Sequence, residues 1–250
     1  PGIRLKITPS IVQEDFVVIK IEPEVSYIYS WRGTADQYPW VKARQATAYV
    51  RIKNGQPFAN VFETFRQENG HYHIDSVTEG IGVYGLFGKR HMVSMGDVTE
   101  QGLRPQHFEQ LLGDDRKRAQ SVDFDWPAKT MEIKAKGKVS HVALNEGTQD
   151  LLSFAYQFMY YPLMDGDINL PVTTGKKLRL YQYKVVDKDL SVETAAGTFR
   201  TVRLVNRVAD GGESKVFWLG VDKHNIIVRL TMKDENGTRL EQTLSSLHVE

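Results

Sequence analysis

The sequence predicts a mainly β protein: a strongly curved antiparallel sheet, or an open or closed barrel, with one long apolar helix and one short helix. Three observations lead to this fold class. Short runs rich in β-branched and aromatic residues recur along the 250-residue chain. The turns between them contain Asn-Gly and Ala-Gly pairs, which suit tight hairpins. One segment departs from the strand pattern and has apolar residues at helical spacing.

The composition is that of an ordinary globular protein, with 41% hydrophobic and 25% charged residues. We expect residues 1–250 to form a single domain, because all-β domains often reach this length. The 32 basic and 31 acidic residues balance, so no net field attracts nucleic acid or an anionic membrane. The absence of cysteine excludes disulfides, zinc-thiolate sites and thiol nucleophiles.

Two features concern export. No apolar run approaches the roughly 18 residues of a spanning helix, so the chain is not expected to span a membrane. The sequence opens at Pro1-Gly2 without a methionine, and we expect either that an export signal has been removed or that the chain is a trimmed form.

The first predicted strands are short and are joined by tight turns. They are Arg4–Ile7, Phe16–Ile21, Ala46–Ile52, Phe58–Arg66 and His71–Val77. Asn54-Gly55 separates the third strand from the fourth, and Asn69-Gly70 separates the fourth from the fifth. Because Asn and Gly accept the positive φ that hairpin turns need, these strands are expected to pair antiparallel.

The short helix is predicted over Pro105–Leu112. Proline suits the first turn of a helix, and Gly113 suits the position after its last residue. The following run, Asp114 to Arg118, is expected to be a solvated loop, although its three cations could meet an anionic group.

The long helix is predicted from Asp150 to Tyr161, with Thr148 as a cap and Pro162 at its end. One side carries Leu151, Phe154, Ala155, Phe158 and Met159 at helical spacing, and the other carries Leu152, Tyr156 and Tyr160. A helix that is apolar nearly all round must be covered on most sides. It is either a solid core plug or a helix whose aromatic side faces a cavity.

The C-terminal half repeats the strand pattern. Its predicted strands are Lys177–Val186, Phe199–Arg207, Lys215–Leu219, Ile226–Lys233 and Thr238–Leu244. Gly-containing turns separate most of them, at Ala196-Gly197, Gly211-Gly212 and Asn236-Gly237. The sheet is therefore expected to continue to the end of the chain.

Several phrases, taken in order, resemble one protein family. They are Ser76–Gly80, Gly102–Pro105, Val122–Trp126, Gly147–Ser153, Trp218-Leu219 and Val228–Leu230. Together they resemble the exported bacterial proteins of family DUF3108, over roughly residues 46–247. The resemblance implies a signal-bearing precursor and a periplasmic or envelope location, and it names no catalytic residue. Residues 1–45, with Trp31 and Tyr38-Pro39-Trp40, depart from the family pattern and could add N-terminal strands or bind a partner.

Two groups of residues could carry chemistry. His71 and His73 point to one face of a strand and could bind a metal together with His91, although their place directly after the Gly70 turn favours an exposed polar face. Asp123 and Asp125 also share a strand face, as the paired acids of a glycosidase would, yet nothing supplies an opposing carboxylate. We therefore predict no catalytic residue, no metal site and no cofactor.

The function predicted from the sequence is that of a periplasmic, non-catalytic binding or carrier module for an apolar or amphipathic envelope molecule, a lipid or glycolipid. A glycan-active hydrolase using Asp123 or Asp125 and a structural or scaffolding protein of the envelope are the alternatives. An envelope protein is also a possible partner, and nucleic acid is not. The ligand-binding residues are predicted to be Tyr156, Tyr160, Leu152, Trp126, Arg104, Gln149 and Asp150.

Overall fold

The computed structural model describes residues 2–11, 17–26, 43–113, 119–161, 167–206 and 213–249. Two compact units divide the chain at residue 39. In the first unit, strands β1 (Gly2–Ile11) and β2 (Val17–Ser26) pair antiparallel. The segments around Trp31, Tyr38–Trp40, Asp114–Arg118 and Pro162 lie outside the described residues, so the expectations placed on them remain expectations.

The second unit contains a 14-stranded sheet. Its N-terminal half is a meander in which each strand pairs antiparallel with the next. The strands are β3 (Ala43–Lys53), β4 (Gln56–Glu68), β5 (His71–Gly80), β6 (Arg90–Thr99), β7 (Gly102–Leu112), β8 (Gln120–Asp125), β9 (Thr130–Ala135) and β10 (Lys138–Ala143). A short 3₁₀ helix, Gly82–Phe87, joins β5 to β6.

The C-terminal half is a second antiparallel meander. Its strands are β11 (Asp167–Thr173), β12 (Leu178–Thr194), β13 (Gly197–Asn206), β14 (Ser214–Gly220), β15 (Ile226–Lys233) and β16 (Arg239–Val249). A 3₁₀ turn, Val221–Lys223, lies between β14 and β15. Pairing of β16 with β3 joins the two halves and leaves β10 and β11 as the two edges.

The sheet is strongly curved but not closed. Fourteen strands laid flat would separate the edges by roughly 60 Å. Gln149 nevertheless pairs with Val172 of β11, although it follows the end of β10 by only six residues, which span about 20 Å at most. The edges must therefore approach one another. Because β10 and β11 do not pair, the closed barrel among the expected architectures is wrong.

The prediction of a long apolar helix is also wrong. The helical segment is α1 (Ser153–Gln157), followed directly by one 3₁₀ turn, Phe158–Tyr160. Residues before it cannot join the helix, because Gln149 is held extended against β11. The apolar periodicity has another cause: Tyr156 packs with the core of the N-terminal half, and Phe154 and Phe158 pack with that of the C-terminal half.

The predicted short helix over Pro105–Leu112 is a strand instead, since it forms most of β7. Phe108 of this strand is fully buried, while Gln106 and Glu109 are exposed. The proline is tolerated because it lies next to a β-bulge, opposite Gly96 of β6. Proline at a bulge and proline at the start of a helix cannot be distinguished by residue type alone.

All ten strands predicted from the sequence are present, and the sheet is antiparallel as expected. The Asn54-Gly55 and Asn69-Gly70 turns have positive φ at both residues, as the hairpin interpretation requires. β6 and the four strands from β8 to β11 were not predicted from the sequence, and β7 was predicted to be a helix.

Most buried apolar side chains face inward, where α1 lies between the two halves of the sheet. α1 contacts both β7 and β15, which are far apart in the strand order. Both contacts are possible only because the sheet curves around the helix. Among the described residues, no helix has the length and apolarity needed to cross a membrane.

Candidate functional site

A groove in the described part of the chain lies at the outer face of β7–β10 and around the end of β8. Its volume is about 780 Å³. The lining residues are Asp97, Arg104, Gln106, Asp123, Phe124, Asp125, Trp126, Pro127, Thr130, Glu132 and His141. We call this feature the outer groove. Four carboxylates and one guanidinium line it, so its charge is negative.

Strand register explains how the polar side chains of the outer groove meet. Val122 and Met131 point into the core, so their neighbours Asp123 and Glu132 point outward. Across four adjacent strands, His107 pairs with Asp123, Asp123 with Glu132 and Glu132 with His141. This outward-facing row therefore has a histidine at each end and two acids at its centre.

Arg104 and Trp126, two of the predicted ligand-binding residues, lie together in the outer groove. The Arg104 guanidinium carbon is 4.8 Å from the centre of the Trp126 ring, a cation–π contact. The indole N–H of Trp126 donates to the Pro105 carbonyl at 2.7 Å, and its ring stacks with Phe124. These contacts fix the orientation of both side chains before any ligand arrives.

Asp123 and Asp125, proposed as glycosidase acids, have structural partners. Asp123 bonds with His107 at 2.6 Å and accepts from Lys134 at 3.4 Å. Partial burial raises the pKa of Asp123, but the hydrogen bonds and charges of His107 and Lys134 outweigh it and hold the pKa below its ordinary value. Asp125 accepts the backbone N–H of Ala128 in the next turn.

This arrangement does not favour hydrolysis. The two aspartates are neighbours on one face of one strand, with Cα atoms about 7 Å apart, and do not oppose each other across a cleft. A lowered pKa also leaves Asp123 unprotonated at neutral pH, whereas a general acid must hold a proton.

The three histidines considered as metal ligands do not converge. Register places His91 opposite Val77, six positions along β5 from His71, which is about 20 Å. His71 bonds with Asp97 and His91 with Asp75, at 2.8 and 2.7 Å. In the described ranges, no group of three metal-ligating side chains is close enough to hold an ion.

Gln149 and Asp150 connect the helical segment to the sheet. The Gln149 amide donates to the Leu103 carbonyl of β7 at 2.8 Å, and its backbone bonds with Pro171 and Thr173 of β11. Asp150 is fully buried and accepts from Ser94 at 2.6 Å and from two backbone N–H groups of the first helical turn. Both side chains thus have structural roles, and ligand binding by them stays a prediction.

The remaining predicted residues pack on the inner face. Tyr156 is 4% exposed, stacks on Phe65 and donates to Glu63, while the Tyr160 hydroxyl donates to Gln67. Leu152 is buried in the same core. The space beside Tyr156 measures about 10 Å³, which is at the lower limit for one water. Ligand binding by these three residues stays a prediction, and the space beside Tyr156 is too small for an acyl chain.

Several polar residues of the groove and of the inner face were missed from the sequence. Asp97, Glu132 and His141 line the outer groove, and Arg51, Glu63 and Arg90 lie on the inner face. A signal existed for the second group, because Arg51 and Glu63 fall at inward positions of strands that the sequence predicts. Strands β9 and β10 were not predicted, so Glu132 and His141 could not be placed.

Comparison with known proteins gives one family. A family model described as "Protein of unknown function (DUF3108)" matches residues 40–245. No curated protein shows significant sequence similarity to the chain. Solved structures also match, among them a "putative lipoprotein" from Parabacteroides distasonis ATCC 8503, which is 10% identical with a TM-score of 0.36. That alignment covers 82% of this chain and 94% of the other.

Proposed function

The chain belongs to the DUF3108 family, as its sequence resemblance indicates, and from this premise we propose that it is a non-catalytic binding module of the bacterial envelope. Its ligand lies in the outer groove. The periplasmic location is part of the proposal: it is supported by the resemblance to exported proteins and is compatible with the absence of cysteine.

The observation that carries this proposal is the outer groove itself. A volume of about 780 Å³ lies within the usual range for sites that hold small molecules. Arg104 and Trp126 are fixed by contacts with each other and with Pro105 and Phe124, so binding costs them little conformational entropy. A preorganised polar groove of this size favours a binding role.

The chemistry of the lining selects the ligand class. Carboxylates accept hydrogen bonds and cannot donate them, so Asp97, Asp125 and Glu132 suit the hydroxyl or amine groups of a saccharide. Four carboxylates against one guanidinium disfavour a phosphate group in this position. We therefore assign the outer groove to a neutral or amine-bearing saccharide, the sugar part of an envelope glycan or glycolipid.

The lipid part of such a ligand stays a prediction, and so does the scaffolding alternative. Catalysis is not part of the proposal, because Asp123 and Asp125 are engaged by His107, Lys134 and the backbone of the following turn.

Calorimetric titration with chitotriose and with its de-N-acetylated form tests the proposal. Both trisaccharides are expected to bind at pH 7, and the amine-bearing form is expected to bind more tightly because the groove is acidic. Trp126→Ala removes a wall of the groove and the ring beneath Arg104, so it should weaken binding about tenfold or more.

Trp218→Ala is the matched control. Trp218 lies in the other half of the sheet and also has an arginine over its ring, since Arg229 is 6.0 Å from its centre. Removing it should leave the affinity unchanged. Equal weakening by both substitutions, or an absence of binding by both trisaccharides to the wild-type protein, would contradict the proposed function.

A further inference from the structure

Two arginines lie on the inner face of the N-terminal half, away from the outer groove. Arg51 of β3 continues the inward series of Thr47 and Tyr49, and Arg90 of β6 continues that of Met92 and Ser94. Neither arginine is fully buried and neither is exposed. Both side chains are therefore partly withdrawn from water.

Neutral amides hold both arginines. Arg51 donates from Nε to the Gln242 side chain at 2.9 Å. Arg90 donates from two nitrogens to the Gln110 side-chain oxygen, in one case at 3.0 Å. Within the described ranges, no carboxylate oxygen lies within 4 Å of either guanidinium. Cations in such surroundings are normally paired with acids, so two glutamine-held arginines are an unusual arrangement.

Glu63 is the acid whose charge acts on both arginines, but its hydrogen bonds are made with other residues. It accepts from the Ser76 hydroxyl at 3.0 Å and from the Tyr156 hydroxyl at 3.2 Å. One carboxylate between two guanidiniums leaves a net positive charge. Burial and, after it, the charge of Arg51 lower the pKa of Arg90 to about 10, while Glu63 opposes the shift. The two cations thus repel each other across the inner face.

The floor between the arginines is made of small and medium-sized residues. Register places Ala59 beside Arg51 and Thr78 beside Arg90, and Val61 pairs with Thr78 between them. The backbone of Tyr84 and Gly85 packs on the inward side of Gly80, so it bounds the region at this end of β5. An oxyanion there could accept hydrogen bonds from both.

We propose that Arg51 and Arg90 form an anion-binding site on the inner face, which takes the phosphate group of a phosphate-bearing ligand. The planar guanidinium group matches the geometry of phosphate oxygens, and Gln242 and Gln110 fix both arms in place. This site is separate from the outer groove and opposite to it in charge, so the two sites select different groups.

An exposed apolar segment lies at the same end of β5 and bears on the source of the phosphate. Val83 and Leu86 are 70% and 88% exposed, in the 3₁₀ segment that follows Gly80. Free phosphate would make no use of these side chains, whereas a phospholipid could place its chains against them. The shared chemistry is the phosphate group, and the experiment distinguishes the two sources.

The test follows the arginine Nε–H signals of the full chain by NMR during two titrations. One probe is inorganic phosphate, and the other is short-chain phosphatidylglycerol below its micelle concentration, with phosphatidylcholine of the same chain length as control. We expect the Arg51 and Arg90 signals to shift with phosphate or with phosphatidylglycerol. A shift with both assigns the site to the free group, and a shift with the lipid alone assigns it to a lipid headgroup.

Variants separate binding from a structural role. Arg51→Met and Arg90→Met should each weaken binding at least tenfold, while Arg200→Met, an exposed arginine of the C-terminal half, should not change it. Glu63→Gln should tighten binding several-fold, because it removes the one opposing charge without removing an arginine. A purely structural pair of arginines would not produce this gain.

Two outcomes would overturn the proposal. One is that neither probe shifts the two signals at millimolar concentration, and the other is that the affinity is the same in wild type and in Glu63→Gln. If the methionine variants fail to fold, the Glu63→Gln comparison and the wild-type titration decide the question alone.

Discussion

Glu63 links the inner face to pH. Burial raises the pKa of its carboxyl above the ordinary value, and the contacts with Ser76, Arg51, Tyr156 and Arg90 reverse only part of this rise. The folded protein therefore holds a proton on Glu63 more tightly than the unfolded chain does. Its contribution to stability is fully present below the unfolded pKa of about 4.5 and is lost as pH rises through the higher folded pKa.

The substitution Glu63→Gln tests this linkage. At pH 7 the variant should be more stable than wild type by about 1 kcal/mol, because glutamine removes the buried charge, keeps one acceptor oxygen and can donate from its amide N–H to the other hydroxyl. The difference should disappear below about pH 4, where Glu63 is protonated in both states. Urea unfolding at both pH values measures it, and a wild type that is the more stable protein at pH 7 would contradict the expectation.

At the residue scale, the sequence predicted roles better where the partner is local. Asp150 caps the helical turn that follows it, only two residues from the Thr148 predicted as the cap. Its second partner, Ser94, is 56 positions away and lies on a strand that the sequence did not predict. The same limit applies to Arg104 and Trp126, whose contact depends on the register of β7 and β8.

At the element scale, β7 depends on a close contact between Gly96 and the bulge. A Cβ atom on Gly96 would lie 2.2 Å from the Arg104 carbonyl oxygen and 2.9 Å from the Pro105 Cα. Both neighbours are backbone atoms and cannot turn aside. Only glycine fits opposite the proline, which is why the bulge and the glycine occur together.

Gly96→Ala should therefore destabilise the protein by about 2–3 kcal/mol in urea unfolding. It should also weaken saccharide binding in the outer groove, since the bulge positions Arg104 and Gln106. Gly85→Ala provides the comparison, because its Cβ would meet one backbone oxygen at 3.3 Å and negative φ is retained. Equal losses of stability in the two variants would show that the bulge is not the cause.

The elements differ in how well the sequence predicts them, for physical reasons. Strands bounded by Asn-Gly turns were found because the turn residues accept positive φ, which few others do. The strands β8 to β10 are only six residues long; β8 and β9 alternate over too few positions to stand out, and β10 is mostly exposed and lacks the alternation altogether. The apolar residues near α1 led to the prediction of a long helix. Their spacing has another cause, because they contact both halves of the sheet.

At the scale of the whole molecule, Gln149 connects two distant parts of the curved sheet. Its side chain bonds to β7, three strands in from the edge strand β10, and its backbone bonds to the other edge strand, β11. Gln149→Leu keeps the volume but leaves the buried Leu103 carbonyl without this donor. The expected cost is about 1–2 kcal/mol.

Hydrogen exchange locates the effect of this substitution. The amides of Gln149 and Thr173 should exchange faster, while those in the centre of the sheet stay protected. Gln182→Leu is the matched control, because this exposed glutamine joins β12 to β11 through Asn169 and should cost little. Uniformly faster exchange over the whole sheet would argue against a local connection at the edges.

The pairing of β3 with β16 has a consequence for the order of assembly. Arg51 and Gln242 are partners in this pair although 191 positions separate them. During synthesis, the strands from β3 to β10 can form their meander early, but β3 must wait with an open side until β16 emerges. Translation of the roughly 190 residues between these partners thus precedes the step that unites the two halves, and until then the nascent protein exposes a strand able to join a wrong neighbour.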